Sequence, residues 1–273
     1  MEVLLDIIMI PTVLATIKIA VIILLFVMPL GTVLTLMERK WSSMIQDRVG
    51  PNRANIGKFT GHGALHLAAD GLKSIFKEDT IPKGADSFLY LIAPFFGLIA
   101  GVATFAIIPV AGPIGDFTFQ VTDVEPGLLF IFAITSLSVY GAVLAGMSSN
   151  SKFALLGGTR ASAQMISYEV FMGLALMGIF MVYGTTRVSG IVDGQNEYWF
   201  GHVIPMWGVL TQPLGFVLFF TALIAETKRA PFDAPEGESE IVAGYFLEYS
   251  GMRWSAFMLA EYVALVGVAS LIT

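Results

Sequence analysis

Apolar residues fall into six long runs, roughly 12–37, 87–109, 126–147, 161–183, 205–225 and 255–273, separated by polar stretches. Each run approaches the about 20 residues a helix needs to cross a hydrocarbon core of about 30 Å. All are much longer than the roughly 10-residue strand of a membrane barrel. Without water in the bilayer, a lone segment satisfies its backbone polar groups only as a helix. The pattern predicts an all-α polytopic membrane protein with about six transmembrane helices, folded as one integral membrane domain over 1–273. The last run is still apolar at Thr273, so the chain reads as truncated at its C-terminus. Between the first two runs, Leu65, Ala68, Ala69, Leu72, Ile75 and Phe76 recur at helical spacing, with His62, His66, Asp70, Lys73 and Lys77 on the other face. This predicts an amphipathic helix lying in the membrane interface, whose plainer reading is a structural brace.

The polar connections alternate in charge. The segment 38–86 holds Arg39, Lys40, Arg48, Arg53, Lys58, Lys73, Lys77 and Lys83, whereas 110–125 holds no Lys or Arg. Lys152 and Arg160 lie in 148–160, Arg187 alone in 184–204, and Lys228, Arg229 and Arg253 in 226–254. The positive-inside rule puts 38–86, 148–160 and 226–254 on the cytoplasmic side and the N-terminus outside. Glu2 and Asp6 stand where a cleavable signal would carry basic residues.

Composition sharpens this picture. Apolar residues make up 56% of the chain and charged residues 13%, with a mean hydropathy of +0.77. The formal net charge of -6 comes without any basic tract interleaved with aromatics, which argues against nucleic-acid binding. The chain has no cysteine, so it carries neither disulfides nor thiolate-held iron–sulfur clusters. Electrons for any redox role must come from another polypeptide. His62 and His66 share a helix face, but no third ligand follows at metal-site spacing. Gly157-Gly158 lacks the strand and the glycine pattern of a phosphate loop.

Ionisable residues near membrane depth are the candidate chemistry, because each costs a few kcal/mol if it faces lipid. Glu38 and Arg39 end the first run, in ERKWSSMIQDRVGPNR (38–53), and Gly50-Pro51 turns the chain soon after. Arg39, Arg48 and Arg53 are thereby gathered in a short loop able to hold a carboxylate or a polar head group. Snorkelling of a helix end is the alternative. Glu169 lies inside the fourth run beside Ser167 and Tyr168. The segment 225–244 packs Glu226, Asp233, Glu236, Glu238 and Glu240 against only Lys228 and Arg229, with Pro231, Phe232 and Pro235 stiffening it. Carboxylates this close titrate as a coupled group. An ordinary acidic loop is the alternative. Glu248 and Glu261 follow, each preceding a tyrosine. Rows of such acids inside spans mark proton relays; their alignment in space is left open by the sequence.

ERKWSSMIQDRVGPNR, ADGLKSIFKED (69–79), LLGGTRASAQMISYE (155–169), AETKRAPFDAPEGESEIVAG (225–244), LEYSGMRW (247–254) and MLAEY (258–262) occur in that order. Together they resemble the H-subunit family of bacterial NADH–quinone oxidoreductase (respiratory complex I), called subunit 1 in the mitochondrial enzyme. The resemblance covers nearly the whole chain, and the acidic stretch is its most specific part. It implies a subunit of a proton-pumping translocase in the bacterial cytoplasmic (inner) membrane, with quinone as the substrate bound at an interface. It implies no metal, flavin or iron–sulfur cluster in this chain. The implied partners are peripheral-arm quinone-site and iron–sulfur subunits, small membrane subunits, antiporter-like subunits and the lipid bilayer. By the same resemblance Glu38, Arg39, Arg48, Arg53 and Arg229 shape the quinone chamber and the junction. Glu169, Glu226, Asp233, Glu236, Glu238, Glu240, Glu248 and Glu261 form the proton relay.

The chain departs from the family at His66-Leu67, where many members have Gln-Pro, and at Lys228, often Asn. Members usually have about eight spans. Three other readings stand beside this one; the plainest, a purely structural membrane anchor, leaves Glu169 and Glu261 unexplained. A membrane subunit of an energy-converting hydrogenase would lack the quinone site; the full acidic stretch and the GPNR turn weigh against it. A cation transporter would carry inverted repeats and broken midplane helices, and neither is legible.

Overall fold

The computed structural model describes residues 13–57, 61–112, 118–199, 204–237, 240, 242 and 244–273. Glu238, Lys58 and His202 lie outside the described residues.

Helix α1, Val13–Ile45, opens the bundle. It contains one wide turn, Ile23–Val27, in which the Met28 N–H donates to the Ile23 carbonyl five residues back. Pro29 follows directly and brings no N–H, so the wider turn accommodates its ring. The helix passes its expected end at 37 and runs through Glu38-Arg39-Lys40, because these are good helix formers and hydropathy marks only where the apolar face stops. The chain then turns at Gly50, whose φ of +76° suits only glycine; a Cβ there would stand 2.4 Å from Ser43 Oγ. Helix α2, Leu65–Phe76, is the expected amphipathic helix.

Asp86 caps α3, Ser87–Thr104, by accepting from the amides of Phe88 and Leu89 at 3.1 and 3.2 Å. Helix α4, Gly127–Ser148, is interrupted at Ser136. Helix α5, Lys152–Tyr183, begins nine residues before the expected 161, so most of the anticipated loop 148–160 forms its first turns. After a short α6, Val188–Gln195, two-residue strands β1 (Tyr198–Trp199) and β2 (Ile204–Pro205) pair antiparallel. The expected 205–225 span is broken. Helix α7, Gly208–Thr211, stops at Gln212, and Pro213 starts α8, Pro213–Glu226. A proline cannot continue the preceding helix but fits the first position of a new one. Helix α9, Gly251–Ile272, closes the bundle.

Helices α1, α3, α4, α5 and α9 are long and apolar enough to cross a membrane. Helix α8 is apolar too, but its 14 residues span only about 21 Å. The burial is that of a membrane bundle. Large side chains such as Leu24, Leu25, Val170 and Met181 face outward, whereas Ala93, Ala142, Ala145, Ala154 and Ala161 are buried between helices. With no hydrophobic drive in lipid, small residues let helices associate through close backbone contact. Helix α3 packs on α4 and α9, α4 on α5, and α5 on α8; the main partner of α1 is α9. One apolar core, including Ile131, Met172, Phe219 and Val263, runs along the bundle. A second, around Tyr90, Tyr245, Tyr249 and Phe257, sits at the end where the charged connections meet. There Gly157 lets α5 touch the acidic loop: a Cβ would stand 2.5 Å from both Gly244 C and Tyr245 N. Gly158, next to it, faces α4, where a Cβ would stand 3.1 Å from the Ala142 carbonyl oxygen, so each glycine of the pair serves a close approach.

Candidate functional site

The α8–α9 connection folds back into the bundle and brings its charges against both flanking helices. Arg229 lies at the centre. Its Nη1 donates to Glu38 Oε1 of α1 at 2.7 Å. Its Nη2 lies 2.8 Å from Glu261 Oε1 of α9, an ion pair without the alignment of a hydrogen bond. The guanidinium stands 5.0 Å from the centre of the Tyr262 ring, and the Tyr262 hydroxyl donates to Glu38 Oε2 at 2.7 Å. Beside this group a cleft of about 430 Å³ opens between α1, α9 and the loop; Asp233 and Glu236 face it from the loop, and Leu34, Met37 and Leu265 give it apolar walls.

Lys228, one residue earlier, turns the other way. Its ammonium donates to the Tyr245 hydroxyl at 2.8 Å and lies 3.4 Å from Glu236 Oε1. The pair is buried, with side chains 12% and 5% exposed. Burial alone would lower the proton affinity of the ammonium, but Tyr245 and the Glu236 carboxylate outweigh it and hold Lys228 above an ordinary lysine. Burial pushes the Tyr245 hydroxyl well above the ordinary range, so it stays protonated. Lys228 ends α8 in the left-handed region, at φ +53°. That conformation lets the Arg229 N–H reach the Ile224 carbonyl at 3.1 Å and close the helix end.

Beside these residues lies a partly open cavity of about 90 Å³ between α3, α4 and α9. Thr104, Thr135 and Ser138 bring hydroxyls to its lining, and Glu226, Lys228 and Glu261 bring charges. Glu226 Oε2 is buried with no hydrogen-bond partner. Glu169, on α5, accepts from Ser136 Oγ at the interruption of α4, and is within electrostatic reach of Glu226.

The structure thus assembles Glu38, Arg229, Glu261, Glu236, Asp233 and Glu226 around two adjoining spaces, with Glu169 next to them. Other candidates stand apart. Glu240 pairs with Arg160 of α5 at 3.2 Å, but both are more than half exposed, and such a pair contributes little. Glu248 offers its backbone carbonyl to the Tyr90 hydroxyl at 2.7 Å. Arg39 pairs with Asp70 of α2 at 2.5 Å. Partial burial would raise the Asp70 carboxyl, but Arg39 and Lys73 hold it below the usual range. Arg48 and Arg53 are exposed and make no ion pair among the described residues.

Several residues hold the site in ways the pattern did not reveal: Gln164 was not singled out, and His66 and Arg253 were named without these contacts. Gln164 of α5 donates to the carbonyls of Ala225 and Phe232 at 2.9 and 2.7 Å, fastening the end of α8 and the loop after it. His66 accepts from the amides of Arg53 and Ala54 at 2.8 and 3.0 Å, tying the arginine loop to α2. Arg253 pairs with Asp79 at 3.1 Å and lies 5.4 Å from the centre of the Tyr90 ring. The only advance signals were polar side chains beside apolar runs.

A family model described as NADH dehydrogenase matches residues 17–273. The H subunit of NADH-quinone oxidoreductase from Bacillus cytotoxicus is 43% identical over 254 residues, covering 93% of this chain and 71% of the relative. The first of the numbered H subunits of NADH-quinone oxidoreductase from Geobacter metallireducens is 44% identical over 251 residues, covering 90% and 72%. Both relatives are, by name, parts of an oxidoreductase complex, and the match spans the helices and the acidic loop that build the site. The chain belongs to the NADH dehydrogenase family, alongside the H subunits of NADH–quinone oxidoreductase.

Proposed function

We propose that this chain is the quinone-site membrane subunit of a proton-translocating NADH–quinone oxidoreductase. In this reading Glu38, Arg39, Arg48, Arg53 and Arg229 lie at or near the quinone chamber and its junction with the peripheral arm. That arm brings electrons from NADH through its own flavin and iron–sulfur clusters. The chain sits in the cytoplasmic membrane with its N-terminus outside and its charged connections facing the arm. Antiporter-like membrane subunits receive the coupling.

The observation that carries the reading is that charged side chains line both the cleft and the neighbouring cavity, with Lys228 and Glu261 shared between them. The cleft has apolar walls at Leu34, Met37 and Leu265 for a hydrophobic molecule, and the Arg229 group for a polar head. Quinone reduction takes up two electrons and two protons, so it changes the charge beside whatever carboxylates face it. Glu261 faces both the cleft and the cavity, Glu226 faces the cavity, and Glu169 lies next in reach. A change of charge in the cleft is therefore felt at once by groups at membrane depth, where electrostatic interactions are strong.

The test is Glu261→Gln, and separately Glu169→Gln, in the assembled complex reconstituted in liposomes. Each variant is expected to lower inhibitor-sensitive NADH–quinone turnover and proton pumping. Wild-type values for both activities in fully assembled complexes refute the relay. The purified chain alone is expected to show no NADH oxidation, since it holds no redox centre of its own.

A further inference from the structure

Among the described residues, Lys228 and Glu261 are the two ionisable side chains that line both the cleft and the cavity. They form the partition between the two spaces. Glu261 is tied to Arg229 on the cleft side, whereas Lys228 has acceptors on either side of it. On one side are Glu236 and the Tyr245 hydroxyl, which it contacts. On the other is Glu226, two residues earlier across the end of α8, whose Oε2 is buried and unpartnered. Glu226 and Glu261 both lie within electrostatic reach of the ammonium.

Lys228 also carries two costs at one position. Its charge is buried, and its backbone is left-handed at φ +53°, a region that disfavours side chains other than Asn and Asp. Surroundings that maintain such costs at one residue point to a role for it. The left-handed turn directs the side chain back over the helix end, and its four-carbon stem gives the ammonium several rotamers.

We infer that Lys228 is a movable gate charge between the cleft and the cavity, resting on Glu236 and Tyr245 in one position and on Glu226 in the other. Neutralising Glu236 from the cleft releases the ammonium toward Glu226. An anionic Glu236 draws it back. The cleft thereby sets the charge seen by the interior carboxylates. Lys228 acts through Glu226 and Glu236 and is a positioning residue. The inference rests on the reading of the carboxylates as a proton route, and adds a switch to it.

The test uses the assembled complex in proteoliposomes and reads protons pumped per NADH oxidised. A lysine that only braces the loop alters turnover and pumping together and leaves this ratio unchanged. A gate lowers the ratio. A clear fall in this ratio is expected for Lys228→Met. Lys228→Arg, which keeps the charge, is expected to restore much of the ratio. Glu226→Gln combined with Lys228→Met is expected to fall no further than Lys228→Met alone. A wild-type ratio in Lys228→Met overturns the gate, as does full additivity of the two changes. If Lys228→Met does not assemble, Glu236→Gln reads the same switch from its other contact, and a wild-type ratio there overturns it too. Wild-type pumping in Glu226→Gln and Glu261→Gln would instead remove the underlying proton route, so the two failures are distinguishable.

Discussion

Replacing Arg229 with Met removes one charge and strands two. At about 4 Å between charge centres and an effective dielectric near 20, each attraction is worth roughly 4 kcal/mol before desolvation. The two carboxylates differ in what survives of this. Glu38 is 44% exposed, and its interaction falls to about 0–1 kcal/mol. Glu261 is only 10% exposed, and stranding a buried charge costs about 3–5 kcal/mol. The adjoining cleft admits water to one side, which favours the lower end, about 3 kcal/mol. That corresponds to roughly a hundredfold in an equilibrium, at 1.4 kcal/mol per factor of ten. The assay is the half-life of quinone reductase activity in the purified complex at raised temperature, since a membrane complex inactivates irreversibly. Arg229→Met is expected to shorten it strongly. Glu261→Gln together with Arg229→Met is expected to recover part of the loss, because the neutral amide no longer needs the cation. An unchanged half-life in the single variant, or a double variant as unstable as the sum of its parts, would refute the buried-pair argument.

Three further outcomes are expected. Gly157→Val forces a side chain into the backbone of Gly244 and Tyr245; overpacking costs about 1–3 kcal/mol and should reduce the amount of assembled complex in membranes, measured by native gels. Gln164→Leu leaves the carbonyls of Ala225 and Phe232 unpaired at about 1–3 kcal/mol, and hydrogen exchange across 225–237 should quicken while exchange in α3 does not. Asp70→Asn loosens the tether between α1 and α2 by at most about 1 kcal/mol, since both partners are partly exposed. The Asp70 carboxyl is held below its ordinary 3.8, so its stabilisation is present above that pH and fades as pH falls through the lower folded value. Inactivation profiles of wild type and Asp70→Asn should therefore run parallel from pH 7 to 5 and converge only in stronger acid.

Much of the bundle was legible because lipid imposes a simple rule on the chain. Runs of apolar residues predicted five of the crossing helices within a few residues of their apolar parts, and the spacing of Leu65, Leu72 and Phe76 predicted α2 closely. The errors arose where helicity and hydropathy diverge. Lys152–Arg160 is helical but bounded by two cations and broken by Gly157-Gly158, so α5 looked shorter than it is, and Pro213 splits an apolar run that looked continuous. The acidic stretch was readable as chemistry because its density is unusual. Its pairing was not: Arg229 meets Glu38 across 191 residues of chain, and nothing local to either residue signals the other. Neighbouring residues Lys228 and Arg229 look equivalent in the sequence, yet the left-handed turn between α8 and the loop sends one toward Tyr245 and the other toward α1.

The Arg229–Glu38 contact also constrains how the protein is made. A chain inserted during synthesis delivers α1 to the bilayer long before α8 and the loop after it exist. Glu38 must wait at the rim of the membrane, without its cation, while the helices between them are laid down. Contacts between residues so distant in sequence form late. The charged cluster can close only after α9 has entered, because that helix brings Glu261 and Tyr262. A chain arrested before that point has much of its small-residue core and a loop of unpaired charges. Such an intermediate leaves Arg229 and Glu38 without Glu261 and Tyr262, so the ion pairs that shape the site form only once distant segments have met.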